Sequence, residues 1–259
     1  MKKILVSAIS FVNYTKNGSE IYTTFAKRLI NDVITKTPYD VMISTNEPNY
    51  FEEYKSNLRV MINNCTLDGH KTNVYAFNQL LKFNAIKNID KKYDWVLYLD
   101  CDAGFTEKVD DNAVENYISQ LDSMGFDMSA LRTDATYDIS KKDYIDSGGR
   151  TEWPKPLFND KFTFYGINDS WSGAKFPSEH ILFIKNNEKL EIMASELEKF
   201  CSMFESQDET NVITYDMEAF EIGVSAHLAK YNMCEMTWGR QCDLFKVGFN
   251  YNNWEKIKR

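Results

Sequence analysis

The sequence predicts an α/β fold in which helices flank a mostly parallel central sheet. Short apolar runs typical of buried strands recur along the chain, and helical patterns lie between them. One apolar run, residues 96–99, stops at two carboxylates, Asp100 and Asp102. A chain of 259 residues has the length of one large domain with a sizeable core. We therefore expect a single domain over residues 1–259.

The first half, residues 1–105, alternates strands with helices. Strands are predicted at residues 3–9, 40–44, 58–62 and 96–99. Helices are predicted at residues 19–34, with Ser19 as the N-cap, and at residues 71–89. This order of elements is typical of a nucleotide-binding half, in which ligands bind outside the carboxyl ends of the strands.

The second half, residues 106–259, is less regular. Helices are predicted at residues 112–121, 188–204 and 215–231. Strands are predicted at residues 126–131 and 180–185. Residues 133–165 contain glycines, prolines and scattered aromatic side chains with no period. Loops of this length are usually lids or binding loops, so we expect this segment to form a mobile wall of the ligand crevice.

Composition and charge argue against several classes of protein. The net charge of −8 disfavours nucleic acid as a partner, because phosphate backbones are bound by clustered Lys and Arg. No apolar run approaches the ~18 residues of a membrane span, and residues 1–10 predict a first strand instead of a signal peptide. The five cysteines are odd in number and lack C-x-x-C spacing, which favours free thiols. We therefore expect a cytoplasmic protein.

Asp100 and Asp102 are the strongest chemical signal in the chain. A strand that ends in acid places its carboxylates at the ligand-binding edge of a parallel sheet. Such oxygen ligands suit Mg²⁺ or Mn²⁺, which takes one or two carboxylates together with water and substrate phosphates. A cation there would also supply the positive charge that an anionic substrate needs. The alternative is that the segment D-C-D-A-G only forms the turn after the strand.

Residues 93–102, with the sequence YDWVLYLDCD, resemble the D-x-D segment of GT-A fold glycosyltransferases. In that family the motif holds a metal ion on the diphosphate of a nucleotide sugar. The resemblance implies a GT-A type, Rossmann-like fold with a small second sheet on the acceptor side. It also implies a metal-dependent glycosyltransferase that moves a sugar from a nucleotide diphosphate sugar, with a UDP-sugar favoured, to a hydroxyl acceptor such as a growing glycan. The implied cofactor is Mn²⁺ or Mg²⁺, bound by Asp100 and Asp102.

The same resemblance assigns the loops after the first two strands to the nucleotide of the donor. The nucleotide-sugar-binding residues that it implies are Ser7, Phe11, Asn13, Thr45, Lys82, Asp100 and Cys101. Lys82 matches a basic residue that many GT-A enzymes carry on the helix before the D-x-D strand, where it reaches the diphosphate. For the loop residues the alternative is an ordinary strand-end loop, and for Lys82 it is a solvated helix surface.

A segment in the second half resembles the acceptor side of GT-A enzymes. It covers residues 164–178, FYGINDSWSGAKFPS, and matches at Trp171, Ser172 and Gly173. A tryptophan beside small residues can stack on the apolar face of a sugar ring while hydroxyls bond its rim. The alternative is a tryptophan buried in the core.

The helix predicted at residues 215–231 carries the candidate catalytic carboxylates. Glu221 shares the apolar face of this helix, and an inward-facing carboxylate is costly unless it is paired or used. Asp216 suits the N-cap and Glu218 the first turn, so capping and the helix dipole explain both without a catalytic role. By resemblance to the acidic helix of GT-A enzymes, we expect one of the three to face the acceptor, with Asp216 ranked first. Inversion or retention of the anomeric centre stays open.

The last segment, residues 238–259, is basic and rich in aromatic side chains. By resemblance it would fold over the donor diphosphate; peripheral contact with an anionic membrane surface and a solvated end are the alternatives.

Two other functions compete with glycosyl transfer. A non-catalytic nucleotide- or sugar-binding module would have the same crevice. A phosphatase of the haloacid dehalogenase type also uses D-x-D after a strand, but it usually has Gly-Thr after the second Asp. Here Ala103 and Gly104 follow Asp102.

Overall fold

The computed structural model describes residues 2–11, 21–65, 81–132, 177–204, 222–223 and 225–249. The strands in these ranges are β1 (Ile4–Ile9), β2 (Asp40–Thr45), β3 (Val60–Asn64), β4 (Trp95–Leu99), β5 (Ala103–Phe105), β6 (Met128–Arg132), β7 (Pro177–Lys185), β8 (Met233–Met236) and β9 (Val247–Phe249). The α-helices are α1 (Ile21–Lys36), α2 (Asp111–Ser123), α3 (Glu188–Phe204) and α4 (Trp238–Phe245). Short 3-10 helices cover Pro48–Tyr54 and Leu81–Ala85.

The central sheet has seven strands in the order β3-β2-β1-β4-β7-β6-β8. Parallel pairing joins β1 to β2 and β4, β2 to β3, and β6 to β8. β7 runs antiparallel to its neighbours β4 and β6. β5 and β9 form a separate two-stranded antiparallel sheet. The predicted α/β class is confirmed, with a mostly parallel central sheet, flanking helices and a small second sheet.

Helices cover both faces of the sheet because its central strand is apolar on both sides. In β4, Trp95 and Leu97 join one core cluster with α1 and α2, whereas Val96 and Tyr98 join the other with α3. Successive side chains of a strand point to opposite faces, so both faces need cover. Trp95 is fully buried and stacks on Phe183 of β7, with ring centroids 4.5 Å apart. Burial of a large aromatic side chain of this kind stabilises the fold by about 2–3 kcal/mol. β4 is therefore a rigid support for the residues that follow it.

The short helix before β4 differs from the prediction. An α-helix is predicted at residues 71–89, of which residues 71–80 lie outside the described residues. The part that follows, Leu81–Ala85, is a 3-10 helix. The carbonyls of Asn84 and Ala85 accept hydrogen bonds from serine hydroxyls of the sheet. These hydrogen bonds to the sheet take the place of the backbone hydrogen bonds that a longer α-helix would make.

The structure confirms several of the other predicted strands and helices. β1, β2 and α3 lie where the sequence predicts them, and β3 lies slightly later than predicted. The irregular segment at residues 133–165 lies outside the described residues. None of the helices within the described ranges combines the length and the hydropathy needed to cross a bilayer.

Candidate functional site

The acidic pair lies where the order of strands reverses. β1 and β4 are neighbours at the centre of the sheet, with Ser7 paired to Tyr98. β2 and β3 lie on one side of this pair, whereas β7, β6 and β8 lie on the other. Such a reversal opens a crevice outside the carboxyl ends of the strands, where ligands bind. Asp100 directly follows β4 at that edge.

Asp100 is held by three side chains from three parts of the chain. Its Oδ1 accepts a hydrogen bond from the Tyr98 hydroxyl at 2.7 Å, and Nζ of Lys82 lies 3.3 Å from the same oxygen. Its Oδ2 lies 2.7 Å from Nδ1 of His180. Because an ionised carboxylate only accepts, this imidazole nitrogen carries the hydrogen. The backbone N–H of Asp100 donates to the His180 carbonyl at 3.1 Å, so backbone and side chain are both fixed.

The pKa of Asp100 reflects this enclosure. Burial by itself would raise the pKa, but the charge of Lys82 and the hydrogen bonds from His180 and Tyr98 outweigh it and hold the pKa well below its usual range. The Asp100 side chain is 24% exposed and that of Lys82 is 10% exposed, so solvent screens the pair only weakly. Asp100 is therefore ionised at neutral and mildly acidic pH.

Lys82 is held in place by two serines that anchor its short helix. The Ser7 hydroxyl of β1 donates to the Ala85 carbonyl at 2.5 Å, and the Ser44 hydroxyl of β2 donates to the Asn84 carbonyl at 2.7 Å. The basic residue predicted before the D-x-D strand therefore lies beside the acidic pair. Its contact with a diphosphate stays a prediction.

Asp102 has different electrostatic surroundings. Burial and the negative charge of Asp100 raise the pKa of Asp102 to about 6, while His180 and Arg28 act in the opposite direction. Within the described part of the chain, the two ion pairs of this acidic turn both go to Asp100. The Ala103 N–H donates to the Asp100 carbonyl at 2.9 Å, which closes the turn. The charge of Asp100 is thus compensated by its partners, whereas that of Asp102 has no ion-pair partner within the described residues.

Cys101, between the two acids, lies in the core. It is 6% exposed and belongs to the apolar cluster beneath the turn. Burial raises the pKa of its thiol well above the ordinary value, and the carboxylates of Asp102 and Asp100 add to the rise. The thiol is therefore protonated at neutral pH and is a poor nucleophile or metal ligand. Its contact with a nucleotide sugar stays a prediction.

Three other residues predicted to bind the donor are buried. Ser7 is fully buried, and Phe11 is 4% exposed within the apolar core. Thr45 is fully buried, and its hydroxyl accepts a hydrogen bond from the Glu47 N–H at 3.1 Å. Packing explains these residues without a ligand, and their contact with the donor stays a prediction. The remaining predicted site residues lie outside the described residues: Asn13, Trp171, Ser172, Gly173, Asp216, Glu218 and Glu221.

The sequence-based prediction missed His180 and Arg28. The register of β7 places Ile181 opposite Leu99 and so brings His180 to the acidic turn. Arg28 of α1 donates to the Asp102 carbonyl at 2.5 Å. Both contacts depend on the strand order and on how α1 packs, which local sequence patterns do not show. The one local signal was a histidine at the start of the strand predicted at residues 180–185.

The donor set of the acidic turn fits a hard cation. Among the described residues, no three His, Cys, Asp or Glu side chains are grouped so that they would hold a metal ion by themselves. Mg²⁺ and Mn²⁺ do not need such a cage, because water and substrate phosphates complete their coordination. Burial and the negative charge of Asp100 raise the pKa of Asp102, and a proton or a cation beside this carboxylate would offset both.

Comparisons with known proteins do not assign the chain to a family. No family model matches it, and no curated protein matches it. Its function is therefore inferred from what the described residues form together: a reversal of strand order, a carboxylate at Asp100 bound by Lys82 and His180, and a second carboxylate at Asp102.

Proposed function

We propose that this chain is a metal-dependent glycosyltransferase of the GT-A type, which moves a sugar from a nucleotide diphosphate sugar to a hydroxyl acceptor such as a growing glycan. The observation that carries the proposal is the difference in surroundings between the two carboxylates of the acidic turn. Lys82 and His180 both bind the Asp100 carboxylate, whereas Asp102 has no ion pair within the described residues, and burial and the charge of Asp100 raise its pKa to about 6. An acidic turn at the reversal point of an α/β sheet is suited to hold a cation against a diphosphate. A UDP-sugar is the favoured donor.

The sheet supports a nucleotide as the ligand. Its strand order reverses between β1 and β4, and nucleotides commonly bind in the crevice at such a point. Just beyond β1, Ser10 is 1% exposed, and its hydroxyl has no hydrogen-bond partner within the described residues. A nucleotide bound at this edge could supply a partner for this hydroxyl. Residues 1–105 would supply the nucleotide side and residues 106–259 the acceptor side.

The charge of the donor decides what the site must supply. A nucleoside diphosphate is anionic and the chain carries a net charge of −8, so local positive charge is needed. A bound Mn²⁺ or Mg²⁺ would neutralise the charge that grows on the leaving nucleoside diphosphate as the anomeric C–O bond breaks. In this scheme Asp102 would hold the cation and Lys82 would lie on the diphosphate side. Asp100, the second predicted metal ligand, would mainly fix the geometry of the turn, because Tyr98, Lys82 and His180 engage both of its oxygens.

The acceptor chemistry is assigned by resemblance to the second half of the chain. A carboxylate of Asp216, Glu218 or Glu221 would orient or deprotonate the acceptor hydroxyl. Trp171 would stack on a sugar ring, and the segment at residues 133–165 would exclude water and so suppress hydrolysis. We place the reaction in the cytoplasm, with peripheral membrane contact through the basic tail as an option for lipid-linked acceptors.

The geometry disfavours the phosphatase alternative. In that mechanism the first Asp attacks phosphorus and needs an uncommitted oxygen. Both oxygens of Asp100 are engaged instead, Oδ1 by Tyr98 and Lys82 and Oδ2 by His180. A non-catalytic binding module would share this geometry and differs from an enzyme only in turnover.

Release of free nucleoside diphosphate tests the proposal. The protein is incubated with a panel of nucleotide sugars and Mn²⁺, with and without a chelator. We expect UDP release that the chelator abolishes and that Asp102→Ala lowers by about 100-fold or more. Asp94→Asn is the matched control, because Asp94 lies just before β4 at its opposite end, where it accepts from the Lys3 N–H at 2.8 Å. UDP binding without turnover would favour the binding module, and phosphate release from simple esters would favour the phosphatase.

A further inference from the structure

One side of α1 carries three charged side chains that contact β5 and the turn before it: Arg28, Asp32 and Lys36, here called the α1 ladder. They are spaced four residues apart, so they stack along one face of the helix. Asp32 and Lys36 form an ion pair of 2.7 Å, and their side chains are 18% and 33% exposed. The ladder is thus partly enclosed between the helix and the strand.

Arg28 bonds directly to the acidic turn. Its Nη2 donates to the Asp102 carbonyl at 2.5 Å and to the Ala103 carbonyl at 3.2 Å. The guanidinium also lies over the Phe25 ring, 5.4 Å from its centroid, which limits how the group can tilt. A planar group held in this way fixes direction as well as distance, and a lysine ammonium on a flexible stem does so less well.

Asp32 and Lys36 bond the far end of β5. The Phe105 N–H donates to the Asp32 carboxylate at 3.1 Å, and the Lys36 ammonium donates to the Phe105 carbonyl. A Cβ on Gly104 would come within 2.7 Å of the Asp32 carboxylate, which would have to move from its present position against β5. These side chains meet backbone groups that a neighbouring strand would otherwise pair. β5 therefore has β9 on one edge and the α1 ladder on the other.

We infer that Arg28 is a positioning residue for Asp102 and acts through the backbone of the acidic turn. The incoming arm of the turn is held by β4 and its pairing with β7, whereas the outgoing arm, β5, has three residues and, among the described strands, pairs only with β9. The α1 ladder supplies the missing constraint, and Arg28 is the member that bonds Asp102 itself. This inference rests on the proposed function, in which Asp102 holds the cation. Misplacing a functional group by about 1 Å removes much of its effect, so the bond should matter for cation binding as well as for folding.

Arg59, which lies just before β3, offers a matched control because it bonds the same helix. Its guanidinium donates to the Thr37 carbonyl at 2.7 Å and to the Ile34 carbonyl at 3.1 Å. Like Arg28, it is a partly buried arginine that donates to backbone carbonyls. The carbonyls that Arg59 satisfies lie at the end of α1, where it stabilises the helix. Its hydrogen bonds among the described residues go to the end of α1 and the segment after it, not to the acidic turn.

Calorimetry of Mn²⁺ binding by the full chain in the presence of UDP tests the inference. We expect Arg28→Met to weaken Mn²⁺ binding about tenfold, Arg28→Lys to weaken it about threefold, and Arg59→Met to leave it unchanged. Amide hydrogen exchange gives a readout that does not depend on function. We expect faster exchange at Ala103 and Phe105 in Arg28→Met but not in Arg59→Met.

The outcomes separate this inference from the proposed function. If the unaltered protein binds no Mn²⁺ in the presence of UDP, the proposed function fails, and the positioning role fails with it. If the unaltered protein and both Arg28 variants bind Mn²⁺ equally well, the positioning role alone is overturned. If Arg59→Met weakens Mn²⁺ binding as much as Arg28→Met does, the positioning role is also overturned, because the effect would then come from α1 as a whole. If Arg28→Met does not fold, Arg28→Lys carries the same comparison.

Discussion

Nδ1 of His180 lies 2.7 Å from the Asp100 carboxylate, although 80 positions separate the two residues in the chain. The contact forms because β7 enters the sheet antiparallel beside the end of β4, with Ile181 opposite Leu99. Lys82 approaches the other oxygen of the same carboxylate. Asp100 is therefore the centre of a small network of charged and hydrogen-bonding side chains. Asp102, in the same turn, carries a negative charge that this network does not compensate.

Asp100→Asn should destabilise the fold by about 2–4 kcal/mol at neutral pH, because it removes the negative charge that faces the enclosed Lys82 ammonium. Folding lowers the pKa of Asp100, so this stabilisation is present above its ordinary value of 3.8 and is lost as the pH falls further. The difference between the two proteins should therefore shrink below about pH 4. Urea denaturation at a series of pH values measures it. A difference that stays constant down to about pH 2 would contradict the ion pair.

Asp102→Asn should have the opposite effect and stabilise the fold by about 1–2 kcal/mol at neutral pH without divalent cations. Folding raises the pKa of Asp102 to about 6, so ionisation costs stability as the pH rises toward that value, and the cost is complete above it. The two proteins should be equally stable near about pH 4 and should differ at about pH 7.5. Thermal unfolding in a chelating buffer measures both points. A variant less stable than the parent at the higher pH would show that the ionised carboxylate makes stabilising contacts.

Gly104→Ala should destabilise the fold by about 1–3 kcal/mol, because its Cβ would lie 2.7 Å from the Asp32 carboxylate and force the α1 ladder away from β5. Gly239→Ala is the control, since a Cβ there meets nothing within 4 Å and alanine is the better helix former in α4. Chemical denaturation of both variants checks the contrast. Equal stability of the two variants would mean that α1 and β5 are not packed this closely.

The strand that carries the site was predictable because its signal is local. β4 is an unbroken apolar run that stops at an acid, and neighbouring residues alone set that pattern. β1, β2 and α3 follow from the same kind of short-range periodicity. β5 and β9 have three residues each, too few for a period, so the small sheet was expected only by resemblance.

The contacts that define the site were not predictable from local patterns. His180 reaches Asp100 only because β7 lies beside β4, and Arg28 reaches Asp102 only because α1 packs on β5. Both are set by strand order and packing, which join residues far apart in the chain. The same holds for Ser7, whose hydroxyl bonds the segment that carries Lys82; its contact with the donor stays a prediction.

UDP binding with and without Mn²⁺, compared between the unaltered protein and Asp102→Asn, tests the central claim most directly. We expect Mn²⁺ to tighten UDP binding by the unaltered protein about tenfold or more, and a chelator to remove that gain. Asp102→Asn should remain folded and show none of the gain. UDP affinity that does not respond to Mn²⁺, or the same response in Asp102→Asn, would contradict the claim that this acidic turn holds a cation against a nucleoside diphosphate.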